Sequence, residues 1–440
     1  MHYSNKDILK ITFPVMVSLL MEHLISLTDT AYLGRVGEVE LGASALAGVY
    51  YLVIYMLGFG FSVGAQVIIA RRNGEGEYHR IGEVFMQGSL FLILFAALLF
   101  SLSHAYSPLV LRHLIASDAV YHATLEYIDW RVYGFFFSFI AAMFRAFYVG
   151  ITNTRTLTAN SLVMVGTNVV LNYILIFGKF GFPALGIAGA AIASSISEAV
   201  SVLFFIIYTY RKVDYRKYGM FVFSRVDWRM LKQILSVSVW VMMQNGITFV
   251  SWFIFFVAIE HHGERALAIT NVVRSLSAFL FMFVNAFAST TSSMTGNLIG
   301  AGRPDDVLPL CRRMIGLCYA IVLPLAALVA LFPEVVLRIY TDDAALIASS
   351  IPSLWVMLSS YFLAVPAFIY FFSVSGTGNT AIAFRFEICS VAVYTLYTLY
   401  VVYLLYADVA VCWTTEHVYD TMVLLSYFYM RSGRWKLKRI

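Results

Sequence analysis

Charge is scarce in this chain of 440 residues: Asp, Glu, Lys and Arg make up 12%, about half the share usual in soluble domains. The scarcity excludes a soluble domain of useful size. The net charge of +5 is modest, so nucleic acid is not expected as a partner. Cysteine is equally sparse. Cys311, Cys318, Cys389 and Cys412 have no paired or metal-like spacing, which excludes a disulfide framework. The first three fall in apolar runs and read as small core hydrophobes. No HExxH, GxSxG, P-loop or CxxC stretch occurs, so the chain is not expected to be an enzyme, to hydrolyse ATP or to hold a cofactor or structural metal.

What the chain has instead is apolar length. Hydrophobic residues make up 60% and the mean hydropathy is +0.79. Apolar runs near 8–33, 44–70, 83–105, 124–152, 157–178 and 187–210 are followed by a basic, interrupted stretch. Six more runs lie near 234–259, 267–296, 313–336, 347–375, 381–406 and 410–430. Each has at least the roughly 20 residues that a helix needs to cross a bilayer. The first run is too long, and its acids are wrong, for a cleavable signal, so it reads as the first span. The expected fold is an all-α polytopic membrane protein of twelve transmembrane helices. Residues 1–210 would form an N-lobe, 211–233 a cytoplasmic linker and 234–440 a C-lobe.

Loop charge predicts orientation. With the N-terminus in the cytoplasm, the large majority of the 30 Lys and Arg fall on that side, whereas Arg35, Arg112, Lys179, Arg265 and Arg338 fall opposite. Such a bias places both termini inside and requires an even number of spans. The halves also repeat. Gly37, Gly74 and Gly76 match Gly263, Gly300 and Gly302 at one constant offset. Two six-span copies pointing the same way are related by an axis along the membrane normal, an architecture that transporters use. The linker would be the strap that lets the lobes rock.

The polar groups inside the spans are the candidate site. Glu22 and Asp29 interrupt the first run. Their spacing of seven brings them to within about 20° on a helix, with Ser18 and Ser26 beside them. Carboxylates at membrane depth rarely face lipid, so this face should line a wet cavity. In the fifth run Asn168 and Asn172 are one turn apart, as are Ser194 and Glu198 in the sixth. Carboxylate, amide and hydroxyl oxygens form a hard-ligand set that suits either Na⁺ or a proton. By the repeat offset Asp29 corresponds to Phe255 and Glu22 to Thr248, so the C-lobe is read as having lost its acids. Gln244 and Asn245 supply its polarity, and Arg274 reads as the one clear deep cation, either paired with an acid or snorkelling. Pro14, one turn inside the first span, is a candidate bend. The 36 Phe and 28 Tyr include belt residues and could also bind flat cations.

Several stretches resemble the multidrug and toxic compound extrusion (MATE) transporters: LISLTDTAYLGRVG, AQVIIARRNGEGE, FRAFYVGITNTR, NVVLNYILIFGKFGFPALGIAGAAIAS and GNLIGAGR. The resemblance implies two six-helix lobes around a central cavity in a bacterial inner membrane, and a monomer. It also implies export of small organic, often cationic or aromatic, compounds in exchange for Na⁺ or H⁺. By the same resemblance Asp29 matches the first-helix aspartate that binds the coupling cation, Pro14 the proline at the proposed bend, and Asn168 the fifth-helix asparagine of that site. Asn172 stands where some members have an aspartate, Ser194 where they have a threonine, and Glu22 where glutamine is frequent and could replace the missing charge. Acids that other branches carry in the seventh and tenth helices are unmatched, so no C-lobe cation site is expected. The alternative is a flippase for a lipid-linked or amphiphilic substrate, for which a strongly cationic cavity would be expected.

Overall fold

The computed structural model describes residues 3–115, 117–222 and 225–437. Among these there are helices and turns but no strands. The long elements are α1 (Asn5–Leu33), α2 (Glu38–Glu75), α3 (Tyr78–Leu114), α4 (Asp118–Arg131), α5 (Gly134–Gly150), α6 (Arg155–Phe177) and α7 (Gly186–Lys212). After the connection come α8 (Trp228–Glu260), α9 (Glu264–Gly300), α10 (Val307–Leu331), the short α11 (Pro333–Leu337), α12 (Ala344–Gly376) and α13 (Thr380–Leu399). The chain ends in three short helices, α14 (Val409–Cys412), α15 (Thr415–Leu424) and α16 (Ser426–Ser432).

Among the described residues, ten helices are long and apolar enough to cross a membrane; α4 and α5, bent by 52° at their junction, make an eleventh as a pair. The expected fourth span at 124–152 is this broken pair. The run expected at 410–430 is split into α14 to α16, none of which alone has the length of a span. Hydropathy counts apolar residues and does not register a break in the helix, which is why the last run looked continuous. Two of the basic residues used for orientation, Lys438 and Arg439, lie outside the described residues.

The repeat is visible in how the second helix of each half ends. Gly76 and Gly302 adopt φ of 80° and 72°, the left-handed region in which glycine carries no Cβ penalty. At Gly76 the amide donates back to the Arg72 and Asn73 carbonyls, closing the end of α2.

The chain divides into two compact units: residues 13–242, and residues 1–12 together with 243–440. Residues 210 and 234 both fall within the first of these units. The described residues between α7 and α8 are tied to α3. There the Gly82 amide donates to the Tyr218 carbonyl (2.8 Å) and Gln87 Nε2 donates to the Arg225 carbonyl (3.1 Å). Lys217 Nζ sits 3.8 Å from the Tyr78 ring centre. The expected strap is a docked segment. In the first unit α2 and the start of α8 approach closely: a Cβ on Gly64 would lie 2.5 Å from Ser238 Cα. In the second unit α12 crosses α9 at Gly376, where a Cβ would meet the Ser292 carbonyl at 2.3 Å. The first turns of α1 join this unit, with Thr12 Oγ1 3.0 Å from Thr290 Oγ1 and Arg313 donating to the Tyr3 carbonyl at 2.8 Å. Cys311, Cys318 and Cys412 are buried as small hydrophobes, but Cys389 is exposed.

Candidate functional site

The first unit holds an open cavity of about 960 Å³, ample for a drug-sized molecule. One wall is α1, which turns Ser18, Glu22, Ile25, Ser26 and Asp29 towards it. That face is the one read from the spacing of the two acids. Pro14 lies within α1; lacking an N–H, it cannot donate to the carbonyl four residues earlier. Its own carbonyl accepts from Thr158 Oγ1 at 3.4 Å.

Asp29, Asn168, Asn172 and Ser194 converge. Asn172 Nδ2 donates to Asp29 Oδ1 (2.5 Å) and to Asn168 Oδ1 (3.0 Å). Asn168 Nδ2 donates to Ser194 Oγ (3.2 Å), and Ser194 Oγ donates to Asp29 Oδ2 (3.4 Å). The four side chains form a closed ring. Helical spacing makes it possible: Asn168 and Asn172 lie one turn apart on α6, and α7 brings Ser194 opposite. The asparagines are fully buried. Among the described residues the Asn172 Oδ1 atom is buried without a partner, an unused acceptor beside a carboxylate.

Glu22 is not in the ring. Its carboxylate accepts from Arg145 Nη1 at 2.9 Å. It therefore does not replace the charge absent at Asn172. Gln244, Asn245 and Arg274 belong to the other unit and do not line this cavity. Arg274 stands 5.2 Å from the Phe256 ring centre, and among the described residues it has no ion-pair partner.

Two groups were under-read from sequence. Arg131, at the end of α4, makes a fork to Glu198 on α7, with Nη1–Oε2 at 2.9 Å and Nη2–Oε1 at 2.6 Å. Its guanidinium lies 3.6 Å from the Tyr51 ring centre, and Tyr51 donates to Glu198 Oε1 at 3.1 Å. The pair fills the space over Gly134, where a Cβ would meet Arg131 Nη1 at 2.2 Å and Glu198 Oε2 at 2.4 Å. A larger residue after the α4–α5 break would have to push these two side-chain ends aside. Arg131 and Arg145 both line the cavity, so Arg274 is not the only deep cation. The signal was present: a buried charge needs a partner, and Glu198 sat in the sixth run without one.

The rest of the wall is aliphatic, small or hydroxyl-bearing, with four aromatic rings set into it. Tyr51 and Tyr55, one turn apart on α2, line it with rings stacked at 6.3 Å, and Tyr55 stacks in turn on Phe59 at 5.9 Å; Tyr127 and Phe205 line the same space. Because both arginines are paired with Glu198 and Glu22, the unpaired charge on the wall is acidic: Asp29 and Glu38. Aromatic faces with such acids suit an organic cation. They do not suit phosphate.

Comparison with known proteins agrees with this architecture. A Thermotoga maritima protein described as probable multidrug resistance protein NorM is 27% identical over 86% of this chain and 81% of its own length. A multidrug resistance MATE family transporter solved in an outward-facing conformation superposes with a TM-score of 0.90 at 20% identity, covering 99% of this chain and 97% of its own. A MOP superfamily transporter from Pyrococcus furiosus, whose binding pocket has reversed polarity, superposes equally well (TM-score 0.90, 19% identity, 97% and 95% covered). The sequence model of the MatE family matches twice, at residues 14–174 and 241–401, once in each half of the repeat. The chain belongs to the MatE family.

Proposed function

We propose that this protein is a secondary antiporter that exports organic, cationic or aromatic compounds in exchange for Na⁺ or H⁺, with Asp29 as the coupling residue. Both termini would be cytoplasmic, in the inner membrane of a bacterium. The observation that carries the reading is the closed ring of Asp29, Asn172, Asn168 and Ser194, of which Asp29, Asn168 and Ser194 line a large cavity that also holds Tyr51, Tyr55, Tyr127 and Phe205.

The ring offers two states. With Asp29 ionised, the Asn172 amide donates to the carboxylate and to Asn168 Oδ1 and leaves its own oxygen unused. A proton or Na⁺ at Asp29 removes the need for that donor. The amide can then turn, presenting its oxygen towards the cation and satisfying it. Such a turn repacks α6 against the α1 face, and Pro14 supplies the flexible point in α1. Coupling follows when the ion binds one state better than the other. An organic cation in the cavity and the ion at Asp29 would compete for the same negative charge, which makes exchange the favoured cycle.

The test is counterflow of ethidium or norfloxacin in proteoliposomes, with Na⁺ and pH gradients imposed separately. Wild type should be driven by one gradient, and Asp29→Asn should abolish coupled export while folding normally. Unchanged transport by a folded Asp29→Asn protein would reject the assignment.

A further inference from the structure

The second unit holds acids that the sequence repeat did not reveal, because they come from helices other than the counterpart of α1. Glu387 on α13 is 1% exposed and Asp420 on α15 is 3% exposed. Glu416 lies one turn before Asp420, alongside Tyr394. Among the described residues none of the three makes an ion pair. An isolated buried carboxylate in an apolar setting is costly when ionised, so protons must enter the account.

The hydrogen count at Glu387 is more specific. Its Oε1 lies 2.7 Å from Thr248 Oγ1 and 2.9 Å from the Tyr419 hydroxyl, which is also 3.0 Å from Oε2. Thr248 Oγ1 is at the same time 3.0 Å from the Gln244 carbonyl. A threonine hydroxyl has one proton, and here two acceptors compete for it. If Glu387 is ionised, Thr248 and Tyr419 both donate to it. If Glu387 is protonated, it donates to Thr248, which turns to the Gln244 carbonyl while Tyr419 still donates to the free carboxyl oxygen. Each state satisfies every group, and they differ by one hydroxyl rotation.

A second observation lies in the same cluster. The hydroxyls of Tyr394 and Thr415 are buried, with no hydrogen-bond partner among the described residues. Tyr394 packs edge-on against Tyr419, with ring centres 5.9 Å apart, and reaches towards Glu416. The groups that face Glu387 are Thr248 from α8 and Tyr419 from α15; around Tyr419 lie Glu416 and Asp420 of α15, with Tyr394 of α13 beside Glu416 and Tyr361 of α12 beside Asp420. None is a cation.

We propose that Glu387 is a reversible proton-binding site of the second unit, with Thr248 as the hydroxyl that turns to follow its charge. This site is separate from the Asp29 ring and stands whether or not Asp29 couples transport.

The experiment is infrared titration of the full-length protein in lipid, reading the protonated-carboxyl band as pH is raised. Wild type, Asp29→Asn, Glu387→Gln, Thr248→Val and Tyr419→Phe would be compared. The expected result is a titrating band that persists in Asp29→Asn and disappears in Glu387→Gln. It should change frequency in Thr248→Val and in Tyr419→Phe, which retain the carboxyl and cover the case in which Glu387→Gln does not fold. A band that Glu387→Gln removes but that never titrates would overturn the proposal, since the proton would then be fixed. Loss of every titrating band in Asp29→Asn would overturn it too. The coupling role of Asp29 fails separately, through unchanged transport in Asp29→Asn.

Discussion

Removing one partner of the Arg131–Glu198 pair strands the other charge in a wall that is mostly apolar and aromatic. For an enclosed pair that costs about 3–5 kcal/mol, whereas replacing both partners with apolar groups is often close to neutral. Glu198→Ala should therefore lower the thermal unfolding temperature of the purified protein markedly, and Arg131→Met with Glu198→Leu should recover most of the loss. If both variants unfold alike, the pair has some other role. At the ring, Asn172→Asp adds a second carboxylate next to Asp29. The half-saturating Na⁺ concentration for transport should fall, by about tenfold for each 1.4 kcal/mol gained; a rise would mean that the pair of acids retains a proton instead. The ring residues were legible because helical spacing sets which side chains share a face. The partner of Glu22 was not, since Arg145 is 123 residues away and no periodicity connects them.

At the level of helices, close approach is set by what is missing from a side chain. Gly64 allows the α2 backbone to lie against α8, where an added Cβ would come within 2.5 Å of Ser238 Cα. Overpacking of this kind costs about 1–3 kcal/mol. Gly64→Val should reduce the yield of folded protein in detergent chromatography, whereas Gly48→Ala, with nothing within 4 Å of the added Cβ, should not. Equal yields would show that the contact yields easily. The partner of Gly64 on α8 was not legible in the sequence, because any apolar helix could have supplied it. The same holds for the segment 211–233. Its basic composition reads as a cytoplasmic connection, and only the bonds from Gly82 and Gln87 show that it is docked onto α3.

Over the whole molecule, the number of crossings decides the side of the C-terminus. Among the described residues ten long helices and one bent pair make eleven candidates. Loop charge asks for an even number, so α14 to α16 together should complete a twelfth crossing. Green fluorescent protein fused after Ile440 should fluoresce, and alkaline phosphatase fused after Asp408 should be active. Active phosphatase at both positions would leave the broken run on one side of the membrane.

The sequence by itself determined the solvent, the helical class, the duplication and the polar face of α1. These follow from composition and from periods of a few residues, which act locally and survive without knowledge of any distant neighbour. Only the tertiary structure decided which charges are neutralised and by what. Arg131 met Glu198, Arg145 met Glu22, and Glu387 met Thr248 and Tyr419. Each pairing joins helices far apart in the chain, and in an apolar interior a charge takes whatever polar group the packing brings within reach.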